Sequence, residues 1–440
     1  MKLLRYGVAT AAVVLGLGGC GPKLLDPSAQ IGPHPVLPAI HQYLLPPIHI
    51  AKVVGWQGAT PSAAAGLKVQ AFATGLANPR SLYVLPNGDV LVVETGGPPP
   101  PVSRPKEIVM NWMEKKAHSR TPPGQRILLF RDTNGDGIPE EKTVFLDHLR
   151  SPFGVVLVGT DLYVAETDAV TRFPYVTGQT RITAAGVKLC GLPGGPIDHH
   201  WTKSLTASPD GTKLYAGVGS NSNITENGLQ AEEGRAAVWE IDRASGRQRE
   251  FATGLRNPNG LQFEPQTRTL WVVVNERDEL GPDLVPDYLT SVKEGGFYGW
   301  PYSYYGQHID PRVQPQRPDL VSRAIVPDYA LSSHVAPLGL AFYTGTTLPA
   351  HYRGGAFIGE HGSWNRQVLN GYKVVFVPFQ NGRPAGTAED VVTGFLVDGD
   401  QARGRPVGLA VDAQGGLLIA DDTGNSVWRV SAASPSGSSL

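Results

Sequence analysis

The sequence predicts an all-β protein, a six-bladed β-propeller behind an N-terminal lipoprotein signal and tether, and three observations carry that prediction. Glycine (53) and proline (38) are abundant and only 18% of the 440 residues are charged, which suits short strands and turns and would destabilise helix interiors. A unit of polar lead-in, aliphatic strand, Gly/Asp/Asn turn and second strand recurs six times at intervals of roughly 50–80 residues, a spacing that marks radial arrays of sheets with insertions. The lead-in itself repeats, which a two-sheet sandwich gives no reason to expect.

The chain begins MKLLRYGVATAAVVLGLGGC, with Lys2 and Arg5, an apolar run from Val8 to Leu17, and Gly18-Gly19-Cys20. This is the pattern of a bacterial secretory signal closing in a lipobox, so residues 1–19 are expected to be removed and Cys20 lipidated. The apolar run is short for a full membrane span. The Gly16, Gly18, Gly21 spacing follows no strand and opens no helix, so it is no nucleotide signal. Cys190 then stands alone in the mature chain and can build no disulfide, haem attachment or zinc set. Residues 20–65, rich in Pro, Ala and Gly, read as a tether, with the Leu and Ile of HPVLPAIHQYLLPPIHI as the part suited to packing.

The propeller is expected over residues 66–432, with a flexible tail at 433–440. Its copies are LANPRSLYVLPNGDVLVVET from Leu76, LRSPFGVVLVGTDLYVAET from Leu149 and HWTKSLTASPDGTKLYAGVGS from His200. They continue as LRNPNGLQFEPQTRTLWVVVNE from Leu255, APLGLAFYTGTTLPAHYRGGAFIGEHG from Ala336 and GRPVGLAVDAQGGLLIADD from Gly404. Closure is expected where the C-terminal strands complete a sheet with the first.

A net charge of −1 offers no field to recruit nucleic acid or an acidic membrane surface, so a small-molecule ligand is expected. In a radial array the same position of every copy faces the same end of the central channel. Arg80, His200, Arg256, Asn257 and Arg405 occupy or adjoin the lead-in position, and would converge on one pocket there. The alternative is that the arginines brace neighbouring blades through ion pairs. His200, in IDHHWTKSLTASPD at the entrance to a buried strand, is the candidate proton acceptor, because an imidazole takes a proton near neutral pH. A merely solvated loop is the competing reading.

Three insertions stand out. Pro98–Thr121 breaks the first copy with a proline run and then MNWMEKKAHS, a short helical candidate. DTNGDGIPEE has the opening ligands of a calcium loop at Asp132, Asn134 and Asp136, but Thr143 stands at the twelfth position. A tight hairpin turn uses the same residues. NERDELGPDLVPDY follows a strong strand and is dense in oxygen ligands for a hard cation, or else is simply solvated. GEHGSWNR offers His361, Trp364 and Arg366 to a flat anionic ligand, by stacking and by carboxylate pairing; a blade-edge turn with a core Trp364 is the alternative.

Taken together, DHHWTKSLTASPDG, GLRNPNGLQF, NERDELGPDLVPDY with GGFYGWP, HGSWNR with GYKVV, and GRPVGLAVDAQG with DDTGNSVWRV resemble the sorbosone dehydrogenase family. These are quinoprotein sugar dehydrogenases related to soluble glucose and aldose sugar dehydrogenases. The resemblance spans nearly all of residues 66–430. It implies a six-bladed propeller that binds pyrroloquinoline quinone (PQQ) and Ca²⁺ and oxidises a sugar hemiacetal or aldehyde. On that pattern His200 matches the catalytic base, and Arg256 and Asn257 match the pair beside the quinone. Arg405 matches the first of two cofactor arginines. Val407 stands at the second position, which makes Arg80 or Arg366 the candidate replacement. The family's metal loop falls at residues 276–279, which points to Asp278 and Glu279. A lysine of the glucose branch has no counterpart, and His361 is the candidate in its place.

The resemblance also implies a separate electron acceptor, a quinone pool or a cytochrome. The lipoprotein signal leads us to expect a lipid-anchored place in the bacterial envelope, periplasmic-facing or on the extracellular surface, with membrane contact through the lipid alone. Two other classes compete: a Ca²⁺-dependent lactonase-like propeller hydrolase, which wants acidic ligands from several blades, and a non-catalytic propeller that binds glycan or protein.

Overall fold

The computed structural model describes residues 24–42, 48–98 and 122–433. The expected leader with Cys20, most of the Pro98–Thr121 insertion and the C-terminal tail lie outside the described residues. Among the described residues no helix is long and apolar enough to cross a membrane.

The second strand of each sheet is largely apolar on both sides. In the run Val90–Glu94 every residue is buried. Successive side chains of a strand point to opposite faces, so Val92 enters one core with Leu418 and Val427, while Val93 enters another with Leu162 and Val164. Val272 and Val273 divide in the same way between two further cores. A sheet that is apolar on both faces must be covered on both.

Six principal antiparallel sheets solve this by covering one another. The first contains Pro79–Val84, Val90–Glu94, Arg126–Arg131 and Glu141–Leu146. The second runs from Gly154–Val158 to Val187–Gly191, the third from Leu205–Ala207 to Gln248–Thr253 and the fourth from Pro258–Phe263 to Tyr329–Ser333. The fifth runs from Pro337–Phe342 to Glu389–Thr393. The sixth takes Pro406–Val411, Leu417–Asp421 and Ser426–Ala432 from the C-terminus, and its outer strand, Leu67–Ala73, from the N-terminus. The innermost strand of each sheet packs on those of its two neighbours, the sixth on the first included, so the array closes as a propeller-like ring.

The inner strands explain the repeated lead-in. Four of them begin with proline, at Pro79, Pro258, Pro337 and Pro406, the strand position that tolerates a missing N–H. Two residues on, a glycine often meets the next sheet. A Cβ at Gly339 would lie 2.1 Å from the carbonyl oxygen of Val407, and one at Gly408 would lie 2.7 Å from that of Arg80. No side chain fits between inner strands this close.

The reading of residues 20–65 as a tether is corrected. Ile31–Gly32 pairs with the edge of the fourth sheet and Ser62–Ala63 with that of the fifth. Gln30 and Trp56 are buried. The apolar and aromatic residues between the prolines bind the described part of this segment to the domain.

Replacing Gly339 by alanine forces the fifth and sixth sheets apart. The expected cost is about 1–3 kcal/mol, read as a lowered urea midpoint. An unchanged midpoint would contradict this packing.

Candidate functional site

Antiparallel connection places the lead-in of each inner strand and the loop between second and third strands at one end of the ring. The loops that carry DHHW, RNPN, NERDELGPD, HGSWNR and GRPV therefore share one mouth.

His200 enters it from the loop before the third sheet. That loop is fixed by Asp198, whose carboxylate accepts from Arg235 at 3.0 Å and from Thr167 and sits 3.6 Å from the buried Lys203 ammonium. His200 Nδ1 lies 2.9 Å from the Ser220 carbonyl and 2.9 Å from its hydroxyl. Donation of Nδ1–H to that carbonyl leaves Nε2 as the bare acceptor. Burial, then the charge of Arg256 and the neighbouring His199, push the imidazole well below its usual range. It is neutral and only partly exposed to solvent.

Arg256 is buried beside it. It donates to the carbonyls of Asn223 and Glu276 at 3.2 and 2.7 Å and pairs with Asp278 at 3.2 Å. The Asp278 carboxylate also accepts from Asn365 at 2.6 Å and stands 3.3 Å from His334. Burial alone would raise Asp278, but the His334 hydrogen bond and the Arg256 charge hold it at about 2. His334, buried among these carboxylates, is raised despite its burial by the hydrogen bond to Asp278.

A second cluster faces it. Asp422 pairs with Arg80 at 3.1 Å and lies 3.0 Å from His361 Nε2. Burial and the Arg405 charge push His361 down to about 3 against the pull of Asp422. The contact is therefore a hydrogen bond from a neutral ring rather than an ion pair. Arg405 donates to the carbonyls of His361 and Gly362 at 2.9 and 2.6 Å, with its guanidinium 4.9 Å from the Tyr372 ring centre. The two clusters meet twice: Arg80 lies over Trp201 at 5.6 Å, next to His200, and the HGSWNR loop gives His361 to one and Asn365 to the other.

Residues 161–375 match the family model described as glucose/sorbosone dehydrogenase, and residues 318–433 match one described as TrAA12-like. Over residues 161–375 the chain is thus similar to glucose/sorbosone dehydrogenases.

An uncharacterised protein of Borreliella burgdorferi is 27% identical over 293 residues, covering 64% of this chain and 76% of its own. The holo form of the pyranose dehydrogenase PQQ domain from Coprinopsis cinerea superposes with a TM-score of 0.69 at 20% identity, over 87% of this chain and 100% of that one. A calcium structure of a family AA12 carbohydrate-active enzyme from Trichoderma reesei gives 0.69 at 19% identity, over 87% and 98%. These likenesses concern the fold.

Several of the expected ligands are engaged elsewhere. Arg366 is buried against Asp283 and donates to the Pro282 carbonyl at 2.9 Å, so it fixes the fourth sheet's loop instead of facing the mouth. Asp278 is taken up by Arg256, His334 and Asn365. Glu279 pairs with Arg312 at 3.0 Å. Trp364 lies under the N-terminal segment beside Arg405. Asp132, Asn134 and Asp136 belong to a loop between third and fourth strands, at the opposite end of the ring. There Asp132, Asp136 and Glu140 bring carboxylate oxygens within 4.8 Å of one another. Asp132 and Asp136 accept from the turn's own amides.

Among the described residues, the mouth also holds buried polar atoms without hydrogen-bond partners: Arg80 Nε, Asn257 Oδ1, Asn365 Oδ1 and Glu276 Oε1. Glu276 is pushed up to about 7 by burial. Sequence reasoning missed Asp422, His334, Asn365 and Ser220. Asp422 and Asn365 lie inside motifs that were read, whereas His334 carried no signal.

The depressed His361 gives a signed prediction. Between about pH 6.5 and 3 the unfolded chain protonates this histidine and the folded one does not, so its contribution to stability is lost as pH falls through that window. His361→Gln should flatten that part of the stability–pH curve. An unchanged slope in denaturant titrations at pH 4–7 would contradict the assigned environment.

Proposed function

We propose that this protein is a PQQ-dependent, Ca²⁺-assisted oxidoreductase, built as a six-bladed propeller, which oxidises the hemiacetal or aldehyde of a sugar. The observation that carries the reading is the convergence of Arg80, Arg256 and Arg405 on one mouth with a neutral histidine. Two carboxylates, Asp278 and Asp422, stand among these three cations, which leaves the mouth receptive to an anion. Guanidinium groups suit a planar tricarboxylate because they pair bidentately and stay charged.

The residues fit both groups. Arg80 Nε is an unmatched donor for an anion, and Asn257 Oδ1 and Glu276 Oε1 are unmatched oxygens of the kind a hard cation takes. They replace Asp278 and Glu279 as the choice of metal ligands. When bound, the quinone supplies hydride-accepting chemistry and Ca²⁺ polarises its carbonyl as a Lewis acid. The chain's own part is acid–base. His200 Nε2 takes the proton of the substrate hydroxyl as the hydride leaves its carbon, while the Ser220 carbonyl holds the tautomer. Burial, then the charges of Arg256 and His199, depress His200, so neutralising the charge part raises its proton affinity.

The similar Coprinopsis structure, a PQQ domain in its holo form, and the Trichoderma one, a calcium structure, support the same pair of cofactors. The hydrolase alternative wants free acidic ligands, whereas Asp278 and Asp422 are both bound to arginine. Anchoring at lipidated Cys20, a periplasmic-facing position and delivery of electrons to a quinone pool or cytochrome complete the proposal.

The test is reconstitution with PQQ and Ca²⁺ and dye reduction by aldoses. His200→Ala should lower turnover about 10²- to 10⁴-fold with PQQ still bound. Turnover at the wild-type rate would remove His200 from the mechanism, and absence of PQQ binding by the wild type would remove the reading.

A further inference from the structure

We infer that residues 48–56 form a strap that helps build the cofactor mouth, with Trp56 acting through Asp421 as a positioning residue for Arg405. The strap crosses two loops. The His49 amide donates to the Trp364 carbonyl at 2.8 Å, and those of Lys52 and Val54 donate to the carbonyls of Asp400 and Ala402 at 2.7 and 2.9 Å. The HGSWNR loop of the fifth sheet is thereby joined to the segment leading into Arg405. Ile50 and Ala51 lie against Trp364, Tyr372, Ala402 and Arg405 and leave no room for a water molecule.

The strap ends on Trp56, which packs edge-on against Phe395 and Trp428 with ring centres 5.3 and 4.8 Å away. Its indole N–H donates to Asp421 Oδ2 at 2.6 Å. Asp421 Oδ1 accepts the backbone N–H groups of Arg405 at 2.7 Å and Gly424 at 2.8 Å. Trp428 donates to Oδ2 at 3.2 Å. A carboxylate this buried keeps its place only while its donors remain. The indole is thus one of four groups that hold Asp421, and Asp421 holds the Arg405 backbone from which the guanidinium reaches His361, Gly362 and Tyr372. A spacer between lipid and domain has no use for these contacts.

Because the role assigned to Arg405 rests on the proposed function, the test has two arms on the full chain. Trp56→Phe keeps the ring packing and removes the N–H. In the cofactor-free protein, hydrogen exchange at the Arg405 and Gly424 amides should accelerate about tenfold, the size expected for one lost bond to a charged group. Exchange in Leu270–Val274 should stay unchanged as the folding control. Unaltered exchange at Arg405 overturns the inference whatever the cofactor.

In the second arm, fluorescence titration with PQQ and Ca²⁺ should show about tenfold weaker binding by Trp56→Phe, and no further loss when Trp56→Phe is added to Arg405→Ala. Equal losses in both backgrounds would mean that Trp56 acts elsewhere, and would overturn the inference. Failure of the wild type to bind PQQ would overturn the proposed function alone, with the exchange arm still deciding on the strap.

Discussion

Like charges held within one buried mouth repel, by about 4 kcal/mol for a pair 4 Å apart at an effective dielectric of 20. The arrangement of Arg80, Arg256 and Arg405 therefore depends on the carboxylates between them. Asp422 holds Arg80 and His361 at 3.1 and 3.0 Å, and Asp278 holds Arg256 at 3.2 Å. Each acid comes from the loop between second and third strands of its sheet, Arg256 and Arg405 come from the lead-ins of inner strands, and Arg80 is the second residue of one. The ring sets which loops face each other, so the charge pattern of the mouth is a consequence of closure.

Closure in turn rests on sheets that are apolar on both faces and on inner strands that nearly touch. Six cores lie between six sheets, and the outer strand Leu67–Ala73 joins the two ends of the domain in one sheet. A rigid frame of this kind can keep cations in place before a ligand arrives, which lowers the reorganisation a charged cofactor would otherwise require. The electrostatics of His200 follow from the same frame, since the arginine that depresses it is fixed by backbone carbonyls of Asn223 and Glu276.

The ring was legible because its determinants are local and repeated. Strand alternation, turns and the polar lead-in recur in register, with proline opening four of the six inner strands, so Arg80, Arg256 and Arg405 could be placed at one end by position alone. Their partners were not legible. Asp422 and Asp278 sit in loops of unlike length, where no repeat fixes a register. The fate of Arg366 turned on Asp283, 83 residues away, a pairing that spacing does not reveal. The segment before residue 66 was misread because proline-rich composition describes an unfolded spacer and a packed strap equally well. Only its buried contacts, such as that of Trp56 with Asp421, tell the two apart.

The central claim is that these separated cations serve one ligand next to one histidine. The most direct measurement is a crystal structure of the protein soaked with PQQ and Ca²⁺. The account predicts quinone carboxylates on guanidinium groups from both clusters, with the ring system beside His200. Quinone bound away from Arg256 and Arg405, or a mouth that stays empty at saturating PQQ, would contradict it.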